Sequence, residues 1–185
     1  MAAEHASSLT TKTQRGSYFR PEDETEFRLA QLIILLEITS SSRMTSSIDR
    51  IGALDFFSAN PFLVIEESEA EFRHLVLAGF SVKPLTYASP GHRFITRRSR
   101  LQNDLAMLVA YGLAKPGATK GHRVYTITDT GREISEQLTS VYADAYRESA
   151  KVVSKRIEKV PDTKLQEKCR DWLKADPAMM DLYDL

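Results

Sequence analysis

The residue types best suited to chemistry gather between His92 and Arg123. Arg93, Arg97, Arg98, Arg100, Lys115, Lys120 and Arg123 stand there against a single acid, Asp104. Over the whole chain, 25 basic and 25 acidic residues cancel. The neutral total therefore conceals a local basic segment, and any nucleic-acid contact has to come from such clustering rather than from net charge. Arg97, Arg98 and Arg100 fall at the start of a helix expected over Ser99–Tyr111, the end that the macrodipole makes positive. Cations are disfavoured there. A phosphate would relieve the repulsion and use the free N–H groups. Lys120, His122 and Arg123, expected on a neighbouring β-hairpin, complete a candidate backbone-binding set that gives affinity with little sequence reading. Gln102 and Asn103 are the only good base-reading types on the exposed face of that helix. The competing reading is a solvated patch, or arginines paired with nearby carboxylates.

Catalysis has no visible equipment. His5, His74, His92 and His122 form no i, i+4 pair, which argues against a metal site. The one cysteine, Cys169, excludes an internal disulfide framework and a thiolate cage, and its position near Trp172 suits packing at a helix edge. Glu66 and Glu67 fall in an expected loop and read as a solvated acidic cap. There is no phosphate-binding Gly-rich loop, no dinucleotide loop and no GxSxG turn. The expectation is a non-enzymatic protein with no catalytic residue, cofactor or metal. A single cysteine fits a reducing cytoplasm. No run of about 18 apolar residues marks a membrane span, and the polar N-terminus has no secretory h-region.

The elements that must position these residues can be read along the chain. Residues 1–19 read as a disordered lead-in. A first helix follows Pro21, with Glu22, Asp23 and Glu24 at its positive end. Phe27, Ala30, Ile34 and Ile38 form one stripe, widened by Leu29, Leu32, Ile33 and Leu36, so this helix is expected to be central. A second starts near Ser46 or Ser47 and turns Ile48, Ile51, Leu54 and Phe57 inward, until Asn60-Pro61 stops it. Ser68 and Glu71 have capping-box spacing for a third helix through Ala78, with Gly79 as its C-cap. Residues Ser81–Thr96, with Pro84, Pro90 and Gly91, read as irregular, with a short strand at Arg93–Thr96. Leu101, Leu105 and Leu108 give the next helix its apolar face. "LAK", a turn-rich loop and the alternating "RVYTIT" predict a hairpin with Tyr125 and Ile127 facing inward.

Three helices and a hairpin in this order make a winged helix-turn-helix. The fold class is thus mainly α with a small β-hairpin: a core over 20–131, an insert at about 61–96 before the last core helix, and a C-terminal helical extension over 132–175. Thr130 and Glu133 have the spacing to cap one long helix from Arg132 to Lys159. Ile134, Leu138, Val141, Ala145 and Val152 approximate a heptad seam along it. Pro161 breaks that helix, and a short amphipathic one follows at Thr163–Ala175. The tail, 176–185, mixes acidic and apolar residues. Met179, Met180, Leu182 and Tyr183 are candidates for docking into a partner's groove; the alternative is that the tail folds back on its own domain or frays.

The segments "FRPEDETEFRLAQLIILLEIT", "IDRIGALDFFSANPFLV", "RSRLQNDLAMLVAYGLAK" and "YTITDTG" resemble the middle component of ABC three-component systems, relatives of Lamassu-type bacterial defence. The resemblance covers roughly Phe19 to Leu138, with Ile48–Val64 its most particular stretch. It implies a non-catalytic subunit that bridges an SMC-like ATPase and an effector, such as a nuclease or another toxic enzyme, in defence against phage or plasmid. No catalytic residue is carried over. On that reading the winged helix is mainly a protein-docking scaffold whose arginines can touch double-stranded DNA held by the ATPase. The alternative is a homodimeric winged-helix transcription regulator, paired through Arg132–Lys159 and reading spaced half-sites.

Overall fold

The computed structural model describes residues 20–41, 47–82, 88–119 and 121–174. Among them are seven α-helices and one antiparallel hairpin. The helices are α1 (Thr25–Ser40), α2 (Ile48–Ala59), α3 (Ala70–Leu77), α4 (Pro90–Ala110), α5 (Asp129–Gln137), α6 (Val141–Glu158) and α7 (Leu165–Lys174). The hairpin joins β1 (Ala114–Thr119) to β2 (His122–Ile127), with Ala114 opposite Ile127 and Thr119 opposite His122. No helix among the described residues is long and apolar enough to cross a membrane.

α2 lies at the centre. Every residue from Ile51 to Ser58 is buried, because α1, α4 and α6 all pack on it. Its Ser47 cap accepts from the Arg50 amide at 3.4 Å, a bond that satisfies one of the free first-turn donors. Phe56 and Phe57 meet edge to face at 5.4 Å, and the cluster extends to Phe94 on α4 and Trp172 on α7. Burying each such aromatic contributes about 1.5–3 kcal/mol. α1 turns Leu29, Leu32, Ile33 and Leu36 inward as expected, but Arg28 and Gln31 are buried with them.

Several local expectations are corrected. The latter part of the stretch read as irregular, including the strand expected at Arg93–Thr96, is instead the first part of α4. The Ser89 hydroxyl accepts from the His92 amide at 3.3 Å and Pro90 occupies the first helical position. A proline read as a breaker thus serves as a helix start, where its fixed φ is favourable and its missing N–H costs nothing. The Ser68–Glu71 capping box does not form. α3 follows Glu69, whose carboxylate accepts from the Glu66 amide at 2.8 Å, while Gly79 does take the positive φ of a C-cap, 102°.

The single helix expected from Arg132 to Lys159 is two. α5 ends at Gln137 and α6 begins at Val141, where the Ser140 hydroxyl accepts from the Ala143 amide at 3.1 Å. Arg147 braces the break by donating to the Leu138 carbonyl at 2.8 Å. The heptad seam assumed an unbroken helix, and the break resets the phase. α6 buries Ala143, Tyr146, Ala150, Val153 and Ile157 instead, leaving Val141 86% exposed.

The cap of α5 is Thr128 rather than Thr130. Its hydroxyl accepts from the Gly131 amide at 3.0 Å and donates to the Gly112 carbonyl at 2.7 Å, and its amide donates to the Leu113 carbonyl at 3.1 Å. The root of the hairpin and the start of α5 are thereby tied together. A Cβ on Gly131 would overlap the Leu113 carbonyl oxygen and sit 2.8 Å from Ile127 Cγ1, so glycine is needed for this close approach. Tyr125 and Ile127 point inward, as the alternation predicts.

Candidate functional site

Because α4 begins at Pro90, Arg97, Arg98 and Arg100 lie two to three turns inside the helix. They are not at its start, and the argument for a phosphate at a helix N-terminus does not apply to them. Helical spacing turns the arginines of α4 back onto the neighbouring helices, and each finds a partner there.

Arg97 points into the core. Its Nε donates to Asp55 Oδ2 at 2.5 Å and its Nη2 to Asp55 Oδ1 at 2.7 Å, with Gln31 Oε1 as a further acceptor. Gln31 Nε2 in turn donates to the Tyr142 hydroxyl at 2.6 Å. One chain of polar contacts thus links α4, α2, α1 and α6. Burial alone would lower the pKa of the Arg97 guanidinium, but the charge and hydrogen bonds of Asp55 outweigh it and the net direction is up. Burial likewise pushes the phenols of Tyr146 and Tyr142 up. A second fork lies alongside. Arg28 on α1 holds Asp104 on α4 through Nε at 2.7 Å and Nη2 at 3.0 Å, and its Nη1 donates to the Asp23 carbonyl at 2.7 Å. The hydrogen bond that Arg28 donates to Asp104 raises the Arg28 pKa against the opposing effect of burial.

The outer arginines of α4 are also engaged. Arg98 pairs with Asp49, and Arg100 Nη1 donates to Asp23 Oδ1 at 2.7 Å. Arg93 donates to Asn60 Oδ1 at 3.0 Å and lies over the Phe56 ring. The basic segment that the sequence presents as an anion patch is, on α4, a set of internal ties. Arg97, 13% exposed on its side chain and gripped by Asp55, is out of reach of a DNA phosphate. Arg98 and Arg100 are 39% and 38% exposed, so they could turn outward only by leaving their carboxylates.

The hairpin is different. Lys115, His122 and Arg123 are exposed, and none makes an ion pair among the described residues. Lys120 and the tail candidates Met179, Met180, Leu182 and Tyr183 lie outside the described residues. The structure therefore does not bring the candidate set together as one surface: Arg97, Arg98 and Arg100 belong to the α4 interior and its edge, and His122 and Arg123 to the hairpin.

Sequence reasoning missed Arg28, Gln31, Asp55, Asp104 and Arg50. A signal was available. Asp104 sits three residues after Leu101 and four before Leu108, on the apolar face of α4, and Asp55 follows Ile51 by four. A charge on an apolar face has to be paired when that face is buried. Arg50 is the same case on α2. Its Nη1 and Nη2 donate to the Ile157 and Val160 carbonyls at 2.8 and 2.6 Å, and its Nε to Asp162 Oδ1 at 2.6 Å. It caps the C-terminal, negative end of α6 and anchors the turn into α7.

Two further surfaces stand out. Leu77, at the end of α3, is 81% exposed and lines a shallow depression with Val141 and Ala145 of α6, rimmed by His74, Arg147 and Glu148. A groove between the first half of α4 and α7 has Ile95, 69% exposed, on its wall. Among the described residues, no group of three or more His, Cys, Asp or Glu side chains is placed to hold a metal ion.

Residues 81–175, just over half of the chain, match the family model described as ABC-three component (ABC-3C) system Middle Component 2. No curated protein and no solved structure matches the chain. The matched span takes in α4, the hairpin, α5, α6 and α7; the stretch Ile48–Val64 lies outside it. A continuous match over just over half of the chain, taking in α4 and the hairpin that carry the basic segment, places the chain in that family: it belongs to the Middle Component 2 proteins of ABC-three component systems.

Proposed function

We propose that this chain is a non-catalytic winged-helix adapter, joining an SMC-like ATPase to an effector enzyme in a bacterial anti-phage or anti-plasmid complex. Family membership supports a place among several components. The winged-helix reading is supported by the order α1, α2, α4, hairpin and by the antiparallel bridge between Ser47 and Val124, which adds a third pairing to the wing at the start of α2. The observation that carries the adapter role is the direction in which the surface faces. The helix that would read bases turns its arginines inward onto Asp55, Asp49 and Asp23, while large apolar side chains such as Leu77 and Val141 face solvent. A DNA reader needs the reverse, whereas exposed apolar side chains with a charged rim suit a protein partner.

On this reading the hairpin supplies a weak contact to the DNA backbone through Lys115, His122 and Arg123. Two or three such contacts give a logarithmic salt slope of about −2 to −3, with no preference for sequence. The test is reconstitution with the other two components of the system. The adapter reading expects tight association of this chain with the ATPase, weakened by Leu77→Asp with Val141→Asp, and only weak, salt-sensitive binding to duplex DNA. Tight binding to spaced half-sites by a homodimer, with no affinity for the ATPase, would establish the transcription regulator instead.

A further inference from the structure

The groove between α4 and α7 is bounded by Phe94 and Ile95 on one side and by Leu165, Cys169 and Leu173 on the other, and it encloses about 520 Å³. Its rim is basic. Arg98 is matched by Asp49, but Arg170 and Lys174, both exposed, make no ion pair among the described residues. An occupant that satisfies this surface must offer apolar side chains to the walls and carboxylates to the end of α7.

Such a segment begins at the next residue. Residues 175–185 read "ADPAMMDLYDL", with Met179, Met180, Leu182, Tyr183 and Leu185 among Asp176, Asp181 and Asp184. We propose that residues 175–185 dock in this groove of their own chain, seating apolar side chains against Ile95 and Leu173 and setting aspartates beside Arg170 and Lys174. Eleven residues can span up to about 36 Å, more than twice the roughly 15 Å length of a ten-residue helix such as α7, so the segment can turn back and run along the groove. Pro177 disfavours helix at Asp176 and so opposes a straight continuation of α7 away from the groove. The tether keeps the local concentration of the segment in about the millimolar range, so a modest intrinsic affinity suffices. A second copy of the chain fits less well: a two-fold interface through this groove would set Arg170 and Lys174 of one copy against the same cations of the other.

The test uses the full chain with Ile95→Cys in a Cys169→Ala background, with maleimide labelling as the readout. Docking slows labelling about tenfold relative to the same chain carrying Met179→Ser, Met180→Ser and Leu182→Ser. Arg170→Glu with Lys174→Glu, on exposed positions that carry no core contact, produces the same acceleration as the serine substitutions. With Met180→Cys added, mild oxidation joins it to Ile95→Cys within one chain, at a yield independent of protein concentration. Equal labelling rates in all these chains overturn the proposal. So does a cross-link that forms only between two chains, which would identify a second copy as the occupant.

Discussion

Arg97 on α4 and Arg123 on β2 belong to the same basic segment, 26 positions apart, yet they sit in opposite environments. Arg97 is locked between Asp55 and Gln31 inside the molecule. Arg123 is exposed on a two-stranded ribbon and makes no ion pair among the described residues. A helix in the middle of a fold has neighbours on most sides, so its charges find Arg28 on α1, Asp49 and Asp55 on α2, and Asp23 just before α1. A hairpin at the edge has solvent on one face, so its charges stay exposed. What looks like one patch along the chain is thus two arrangements: an internal clasp that links four helices, and an exposed basic edge.

The largest expected effect tests the clasp. Asp55→Ala leaves the Arg97 guanidinium buried without its partner, and urea denaturation should show a loss of about 3–5 kcal/mol. Arg97→Leu combined with Asp55→Leu should recover most of that loss, because a buried pair replaced by apolar side chains is close to neutral. If Asp55→Ala costs no more than an exposed substitution, the clasp is not closed in solution. A smaller loss, about 1–3 kcal/mol, is expected for Gly131→Ala, whose added methyl overlaps the Leu113 carbonyl and crowds Ile127. Because Gly131 anchors the hairpin root rather than the clasp, its effect should add to that of Asp55→Ala, as for distant sites. Thr128→Ala removes the hydroxyl that caps α5 and reaches Gly112, with an expected cost of about 1 kcal/mol.

At the other end of the scale, Arg123→Glu with His122→Glu should leave stability within about 0.5 kcal/mol and, on the proposed reading, abolish weak salt-sensitive binding to duplex DNA, as followed by fluorescence anisotropy. Unchanged DNA affinity would remove the hairpin from the contact surface and leave the comparison with α4 purely structural. Cys169 provides a pH readout of the α7 packing. Burial pushes its thiol up to about 11, against about 8.5 for an exposed cysteine. The protonated form is the one that the fold favours, so this contribution is complete below about pH 8.5 and is lost as pH rises towards 11. Thiol labelling of the folded chain at pH 8 should accordingly be slow beside the unfolded chain.

How much of this was legible in the sequence depended on whether a residue acts locally or at a distance. The apolar stripes of α1 and α2, the alternation of β2 and the stop at Pro161 are short-range patterns, and their elements stand close to where they were expected, whereas the stripe of α4 located only its second half. Caps were less certain. Ser47, Ser89, Thr128 and Ser140 all accept a first-turn amide, but several serines and threonines compete along the chain, and packing selects among them. Ser140 is the instructive one, because taking the cap splits an expected helix and rotates the buried face of α6 away from Val141 and towards Tyr146.

The sequence by itself determined that the chain is helical with one hairpin and that charge concentrates in 92–123, and it carried an unread signal in the charges on apolar faces. Only the tertiary structure decided which partner each of those charges meets. Arg28 with Asp104 and Arg97 with Asp55 are separated by 76 and 42 positions, and nothing in local periodicity connects them. The physical reason is that periodicity states which side of an element avoids water, whereas the identity of a buried partner depends on how the elements pack. The same arginine is therefore an outward contact or an inward tie according to what its helix lies against.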